Sequence, residues 1–152
     1  MEIEVLFKNH MDHLYLIALF MLANVQDAED AVQETYVRLL VKKPHFINEE
    51  HEKAWLMRVC INICKNQIRF RNRHSQSSIL EGEMQSDGFG EREVIREIGM
   101  LPIKLRSTLI LYAIEGYSVK EISVILQISE AAVKKRLQRG REKLNIQLEG
   151  EK

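Results

Sequence analysis

Apolar residues recur three and four positions apart through most of the chain, the spacing that lines one face of an α-helix, and no stretch alternates as a strand would. The pattern predicts an all-α fold. A first helix is expected from about Val5 to Leu22, with Leu6, Leu14, Ile17, Ala18 and Met21 inward. A second starts near Asp27, a capping residue with Asp30 three positions on, and buries Val32, Tyr36, Leu39 and Leu40 before Pro44 ends it. A third starts near Asn48, holds Glu49 and Glu50 in a first turn where the helix dipole favours acids, and passes Trp55, Val59 and Ile63 to about Asn72.

From His74 to Gly90 the periodicity stops. HSQSSILEGEMQSDGFG is rich in serine, glycine and acid with scattered apolar residues, which predicts a flexible linker. Glu91 to Met100 then leads into a helix with Pro102 in its first turn, Leu105, Leu109 and Tyr112 inward, and Gly116 as its cap near Glu115. Ser118 to Leu144 follows as two helices around a tight turn. Val119, Ile122, Ile125 and Leu126 face inward, Ile128 plugs the turn, Ser129 caps the second helix, and Val133 and Leu137 continue the stripe. This is the layout of a helix-turn-helix, in which the second helix enters the major groove, and it points to duplex DNA as the ligand.

Length and composition exclude several classes. The chain has 152 residues, enough for one domain or two small ones, with 45% hydrophobic and 29% charged residues. The longest apolar run, Leu14 to Ala23, is too short to span a bilayer, and Glu2, Glu4 and Asp12 do not suit a signal peptide, so a cytoplasmic protein is expected. Cys60 and Cys64 are poorly placed for a disulfide and lack zinc-finger partners; buried thiols are expected, with no metal or cofactor. His10 and His13 flank Asp12 on an amphipathic helix and read as surface rather than as a catalytic cluster, and no glycine-rich phosphate loop appears. No enzyme is expected.

Net charge is zero, but the charges are segregated. Met1 to Glu52 carries ten acids against four cations, whereas Lys53 to Leu80 carries six cations and no acid. From Lys134 to Lys143, Glu142 is the only acid among six cations. With Glu81 to Gly99 acidic again, separate acidic surfaces for a protein partner and two basic ones for nucleic acid fit this map. On the third helix, Trp55, Phe70 and the amides Asn62, Asn66 and Gln67 share a stretch with Arg69, Arg71 and Arg73, the residue types that stack on unpaired bases and track phosphates. Trp55, spaced with Val59 and Ile63, fits a core position better than a stacking platform. Two basic surfaces, one suited to duplex and one to melted DNA, suggest a protein that recognises a promoter and helps to open it.

Three segments, DAEDAVQETYVRLL (Asp27 to Leu40), AWLMRVCINICKNQIR (Ala54 to Arg69) and LPIKLRSTLILYAIEGYSVKEISVILQISEAAVKKRLQRGREKL (Leu101 to Leu144), resemble the extracytoplasmic-function (ECF) sigma factors of bacterial RNA polymerase. The resemblance implies a three-helix sigma region 2 domain over residues 1–73, a linker over 74–92 and a sigma region 4 domain over 93–148. It implies binding of core polymerase through the β′ clamp helices, at Asp30, Gln33 and Glu34, and through the β flap. Minus-ten DNA would meet Phe46, Asn48, Trp55, Asn62, Arg69, Arg71 and Arg73. Minus-35 DNA would meet Ala132, Lys134, Lys135, Arg136 and Arg139. The linker would thread toward the RNA exit path, and an anti-sigma factor would supply control.

The chain departs from the family pattern at Gln127, where glycine is usual, at Ala131-Ala132, where Gly-Thr is usual, at Asn66, where aspartate is common, and at Lys135, where serine is. Loss of the threonine hydroxyl removes a DNA contact and bears on minus-35 preference. The alternative function is a stand-alone helix-turn-helix regulator with an N-terminal dimerisation or effector domain, which leaves the Asp27 and Trp55 segments without a role.

Overall fold

The computed structural model describes residues 2–73 and 89–147, and the chain divides into two units, residues 1–84 and 85–152. All regular elements among the described residues are helical. The linker expected over 74–92 lies, as far as residue 88, outside the described residues, and residues 89 onward already form a helix.

The N-terminal unit comprises α1 (Ile3–Lys8), α2 (Met11–Leu22), α3 (Val25–Lys42) and α4 (Glu49–Arg73). α2 packs on both α3 and α4, which also pack on each other, while α1 lies against α2 and α3. The longest apolar run of the chain is therefore the central helix of this core: Leu14 and every residue from Ile17 to Ala23 are buried. A helix that is apolar on all sides needs neighbours on more than one side. Leu39 from α3 and Leu56, Met57 and Ile61 from α4 fill the remaining space. Replacing such a side chain by alanine costs about 2–5 kcal/mol through lost burial and a residual cavity.

The structure corrects several expectations. The single first helix is two, broken at Asn9-His10, where the His10 N–H donates to Phe7 O at 3.0 Å, three residues back. His10 is not surface: its ring is buried and its Nε2 lies 2.7 Å from Glu52 Oε2 in the first turn of α4. The cap of α3 is Asn24, whose Oδ1 accepts from the Asp27 N–H at 2.8 Å, and Asp27 lies inside the first turn. Leu40 is exposed and Tyr36 half-buried. Consecutive helical residues are about 100° apart around the axis, and Leu40 falls on the outer side of the stripe that Leu39 closes. The inward stripe runs through Ala28, Ala31, Val32, Thr35 and Leu39.

α4 begins at the expected place, with Asn48 Oδ1 accepting from the His51 N–H at 2.8 Å. Its buried stripe is Ala54, Leu56, Met57, Cys60, Ile61, Ile63, Cys64 and Ile68. Cys60 and Cys64 are free, buried thiols, as expected.

The C-terminal unit comprises α5 (Phe89–Gly99), α6 (Ile103–Leu109), a π-turn over Ile110–Ile114, α7 (Val119–Leu126) and α8 (Glu130–Gln147). Pro102 precedes α6 as its cap rather than sitting in its first turn. The Glu115 N–H donates to Ile110 O, five residues back, at 3.0 Å. The wider turn changes the facing of its residues, so Ile110 and Leu111 are buried while Tyr112, expected inward, is exposed. Leu101, Leu105, Leu109, Ile122, Ile125, Val133 and Leu137 complete the core. Gly140 of α8 faces Leu105 and Leu109 of α6, where a Cβ would make an ordinary van der Waals contact, 3.9 Å from Leu109 Cδ2.

Candidate nucleic-acid and protein interface

The helix-turn-helix is built by local hydrogen bonds that the sequence dictates. Ser118 Oγ accepts from the Glu121 N–H at 3.1 Å while Glu121 Oε1 accepts from the Ser118 N–H at 2.8 Å, a reciprocal box that fixes the start of α7. Sequence reasoning missed this box, although Ser-x-x-Glu before an apolar run is its signature. α7 ends at Gln127, which takes the left-handed conformation at φ 58° and ψ 48°. The Ile128 N–H then bonds Ser123 O, and Ser129 Oγ accepts from the Ala132 N–H at 3.0 Å. The cap expected at Ser129 is therefore present.

Val133 and Leu137 anchor α8 in the core, which turns its cations outward. Lys134, Lys135 and Arg139 are exposed, and Arg136 and Ala132 are half-buried. Arg141 lies over the outward-turned Tyr112 ring, 5.5 Å from its centroid. In the segment before α7, burial first, then Glu115 and Glu121, push the Tyr117 hydroxyl up to about 12. One helix face thus presents four cations near its N-terminal half, the geometry needed to lie along a phosphate-lined groove.

The second basic surface is narrower than its sequence implies. Of the six cations from Lys53 to Arg73, Arg69 and Arg73 are exposed, while Lys53, Arg58, Lys65 and Arg71 are half-buried. Arg71 turns inward: its Nη2 lies 2.6 Å from Asp27 Oδ2 and 3.1 Å from Leu22 O. Arg69 Nη1 donates to Asn66 Oδ1 at 3.3 Å, and Asn62 is exposed on the same helix. At the other end of α4, Phe46 packs edge-on against His51 and Trp55, with ring centroids 5.3 and 5.8 Å away. The Ile47 N–H donates to His51 Nδ1, and Ile47 itself is 79% exposed. Trp55 is half-buried, neither a core residue nor a free platform.

The third surface is acidic. Asp30, Gln33 and Glu34 are all exposed on one side of α3, with Glu34 paired to Arg38 at 3.1 Å. Sequence reasoning missed the open groove beside them, about 710 Å³ between α1, α2 and α3, which Phe7, Met11, Tyr15, Val32, Gln33 and Tyr36 help to line. Burial, then Glu29, raise the Tyr15 hydroxyl above its ordinary value. Among the described residues no cluster of histidine, cysteine and acids could hold a metal ion, and no helix is long and apolar enough to cross a membrane.

An exposed cationic helix in a helix-turn-helix, a second basic helix with an aromatic loop at its start, and a separate acidic helix face define a DNA-binding transcription protein that also meets a protein partner. Sigma-70 region 2 matches residues 6–74, and Sigma-70, region 4 matches residues 91–144. The chain is 28% identical to the ECF RNA polymerase sigma factor SigW of Bacillus subtilis (strain 168), over 91% of this chain and 84% of that protein. It is 32% identical to the RNA polymerase sigma factor SigZ of the same organism, over 80% of this chain and 73% of that one. The chain belongs to the ECF sigma factors of RNA polymerase, and directs transcription initiation. In fold it resembles the sigma factor RpoE of Bartonella quintana, solved in complex with the anti-sigma factor NepR, with a TM-score of 0.80, 24% identity and 95% of each chain covered. A stand-alone helix-turn-helix regulator is not favoured, because the region 2 match accounts for the N-terminal half that such a regulator leaves unexplained.

Proposed function

We propose a division of labour among the three surfaces. α3 docks on the β′ clamp helices of core polymerase through Asp30, Gln33 and Glu34, and the C-terminal unit meets the β flap. The loop of Phe46 and Asn48, with Trp55 and Asn62, receives the melted minus-ten strand, while Arg69 and Arg73 hold its phosphates. α8 reads or braces the minus-35 duplex through Ala132, Lys134, Lys135, Arg136 and Arg139. Residues 1–73 and 93–148 are the two working domains, 74–92 joins them, and the protein acts in the cytoplasm without chemistry of its own. An anti-sigma factor controls it by covering the polymerase-facing side. The observation that carries the assignment is the separation of charge: exposed acids on α3, exposed cations on α8 and on the last turns of α4.

The test is transcription of sheared genomic DNA by purified bacterial core polymerase with and without the protein, followed by sequencing of transcript ends. New starts that share two upstream elements are expected. Reversing charge at Asp30 and Glu34 should abolish association with core while helical circular dichroism is unchanged; survival of the complex places the polymerase surface elsewhere.

A further inference from the structure

We infer that Arg71 does not contact DNA but is a positioning residue, which with Asp27 forms a latch that aims the basic end of α4 at the promoter. The inference rests on the promoter role proposed for α4. Arg71 is one of three arginines in the last turns of that helix, and by sequence all three look alike. The structure separates them. Arg69 and Arg73 face solvent, while the Arg71 guanidinium is 16% exposed and reaches across the bundle to Asp27 Oδ2 at 2.6 Å and Leu22 O at 3.1 Å. Both acceptors belong to the corner where α2 ends and α3 begins. The Asp27 backbone is itself fixed by the cap from Asn24, which anchors the residue that Arg71 meets.

The chemistry favours arginine here. The two N–H donors of its Nη2 serve the carboxylate and the carbonyl at once, and a lysine ammonium, one bond shorter, stops short of both. Swinging Arg71 out to a phosphate would leave Asp27 half-buried without its cation and strip a donor from Leu22 O, a carbonyl at the C-terminal end of α2. The latch therefore ties the last turn of α4, two residues from Arg69 and two from Arg73, to the helix that carries the polymerase-facing acids.

Salt dependence separates a latch from a phosphate contact. Holoenzyme assembled with saturating core polymerase is titrated with a fluorescent promoter fork, duplex upstream and single-stranded at the minus-ten element, over a range of salt. Removing one phosphate contact lowers the slope of log affinity against log salt by about 0.9 on duplex and about 0.7 on single strand. Arg69→Ala and Arg73→Ala should show that drop. Arg71→Ala should lose about tenfold in affinity, the worth of one charge-assisted contact, with the slope unchanged. Asp27→Ala removes a negative charge and on electrostatics alone would tighten binding; the latch requires that it weaken binding as Arg71→Ala does, and that the double variant lose no more than either. Arg71→Lys, which keeps the charge, should remain impaired. A variant that merely unfolds lowers the saturating signal rather than shifting the midpoint. A reduced slope in Arg71→Ala together with neutral or tighter binding in Asp27→Ala overturns the latch and restores Arg71 as a phosphate contact. A wild-type holoenzyme that binds duplex promoter but ignores the single-stranded arm overturns the α4 assignment itself.

Discussion

Gln127 and Gly116 occupy the same left-handed backbone region at opposite ends of α7, one with a side chain and one without. In that region a Cβ crowds the following carbonyl, at about 1–2 kcal/mol for an L-residue. Gln127→Gly removes the crowding and, against it, frees the unfolded chain by about 0.5–1 kcal/mol. The Gln127 side chain is exposed, so its loss opens no cavity, and the backbone bond from the Gln127 N–H to Ser123 O stays. The net expectation is a gain of about 0.5–1 kcal/mol, or about 2–8 °C in the melting temperature of a unit this small. Gly116→Ala should do the reverse. Its φ is +77°, and a Cβ built there meets nothing within 4 Å, so the cost is backbone strain alone, about 1 kcal/mol net. The single tryptophan, Trp55, lies in the N-terminal unit, so its fluorescence reports that unit, and the part of the circular dichroism melt it does not follow reports the other. A Gln127→Gly protein that melts no higher than wild type, or a Gly116→Ala protein that melts no lower, refutes the account of this turn.

Three further outcomes are expected. Ser118→Ala removes one half of the box at the start of α7 and should cost about 1 kcal/mol by chemical denaturation, with promoter preference retained. The Tyr117 hydroxyl is raised from 10.0 to about 12, so the folded state holds a proton that the unfolded state releases. Its contribution is present below pH 10 and lost as pH rises from 10 toward 12; Tyr117→Phe should flatten that decline, and equal slopes in both proteins would rule the effect out. Arg136→Ala and Arg139→Ala should each weaken binding to minus-35 duplex by about 1–3 kcal/mol if base-directed, read by competition against duplexes changed one base at a time. Unchanged affinity removes α8 as the recognition helix.

What the sequence made legible was governed by short-range rules. Ser129 as cap, Val133 and Leu137 as anchors, Ile128 in the turn and the bounds of α4 near Asn48 and Asn72 all depend on residues within one or two turns. The misses need long-range or backbone information. The break at Asn9-His10 leaves the apolar period intact on both sides, and only the Glu52 carboxylate, 42 residues away, explains why a histidine is buried there. The π-turn at Ile110–Ile114 inserts an offset that no propensity encodes, so Tyr112 falls inward only on a count of 3.6 that does not apply across it. Asp27 and Asn24 both have capping side chains; Asn24 caps α3, while the Asp27 carboxylate pairs with Arg71, 44 residues on.

The exposure of Leu40 extends the polymerase-facing side of α3. Asp30, Gln33, Glu34, Val37, Leu40 and Val41 recur three and four residues apart and share the outward side, so the polar face proposed to meet polymerase continues into an apolar one. Val37 is 52% exposed, Leu40 39% and Val41 73%. Acids can steer a basic partner and fix its register, but covering apolar side chains supplies association energy that salt does not screen. Serine and valine have similar helix propensity, so Val37→Ser and Val41→Ser should leave α3 intact. Each should weaken core polymerase binding by about 1 kcal/mol, or about fivefold in Kd, the share of a valine's burial that remains to be gained from a half-exposed start. The loss should persist at high salt, where the loss from Glu34→Gln shrinks. Variants that bind core polymerase as wild type at every salt concentration would confine the contact to the acidic turns of α3 and leave Val37 and Val41 to another partner.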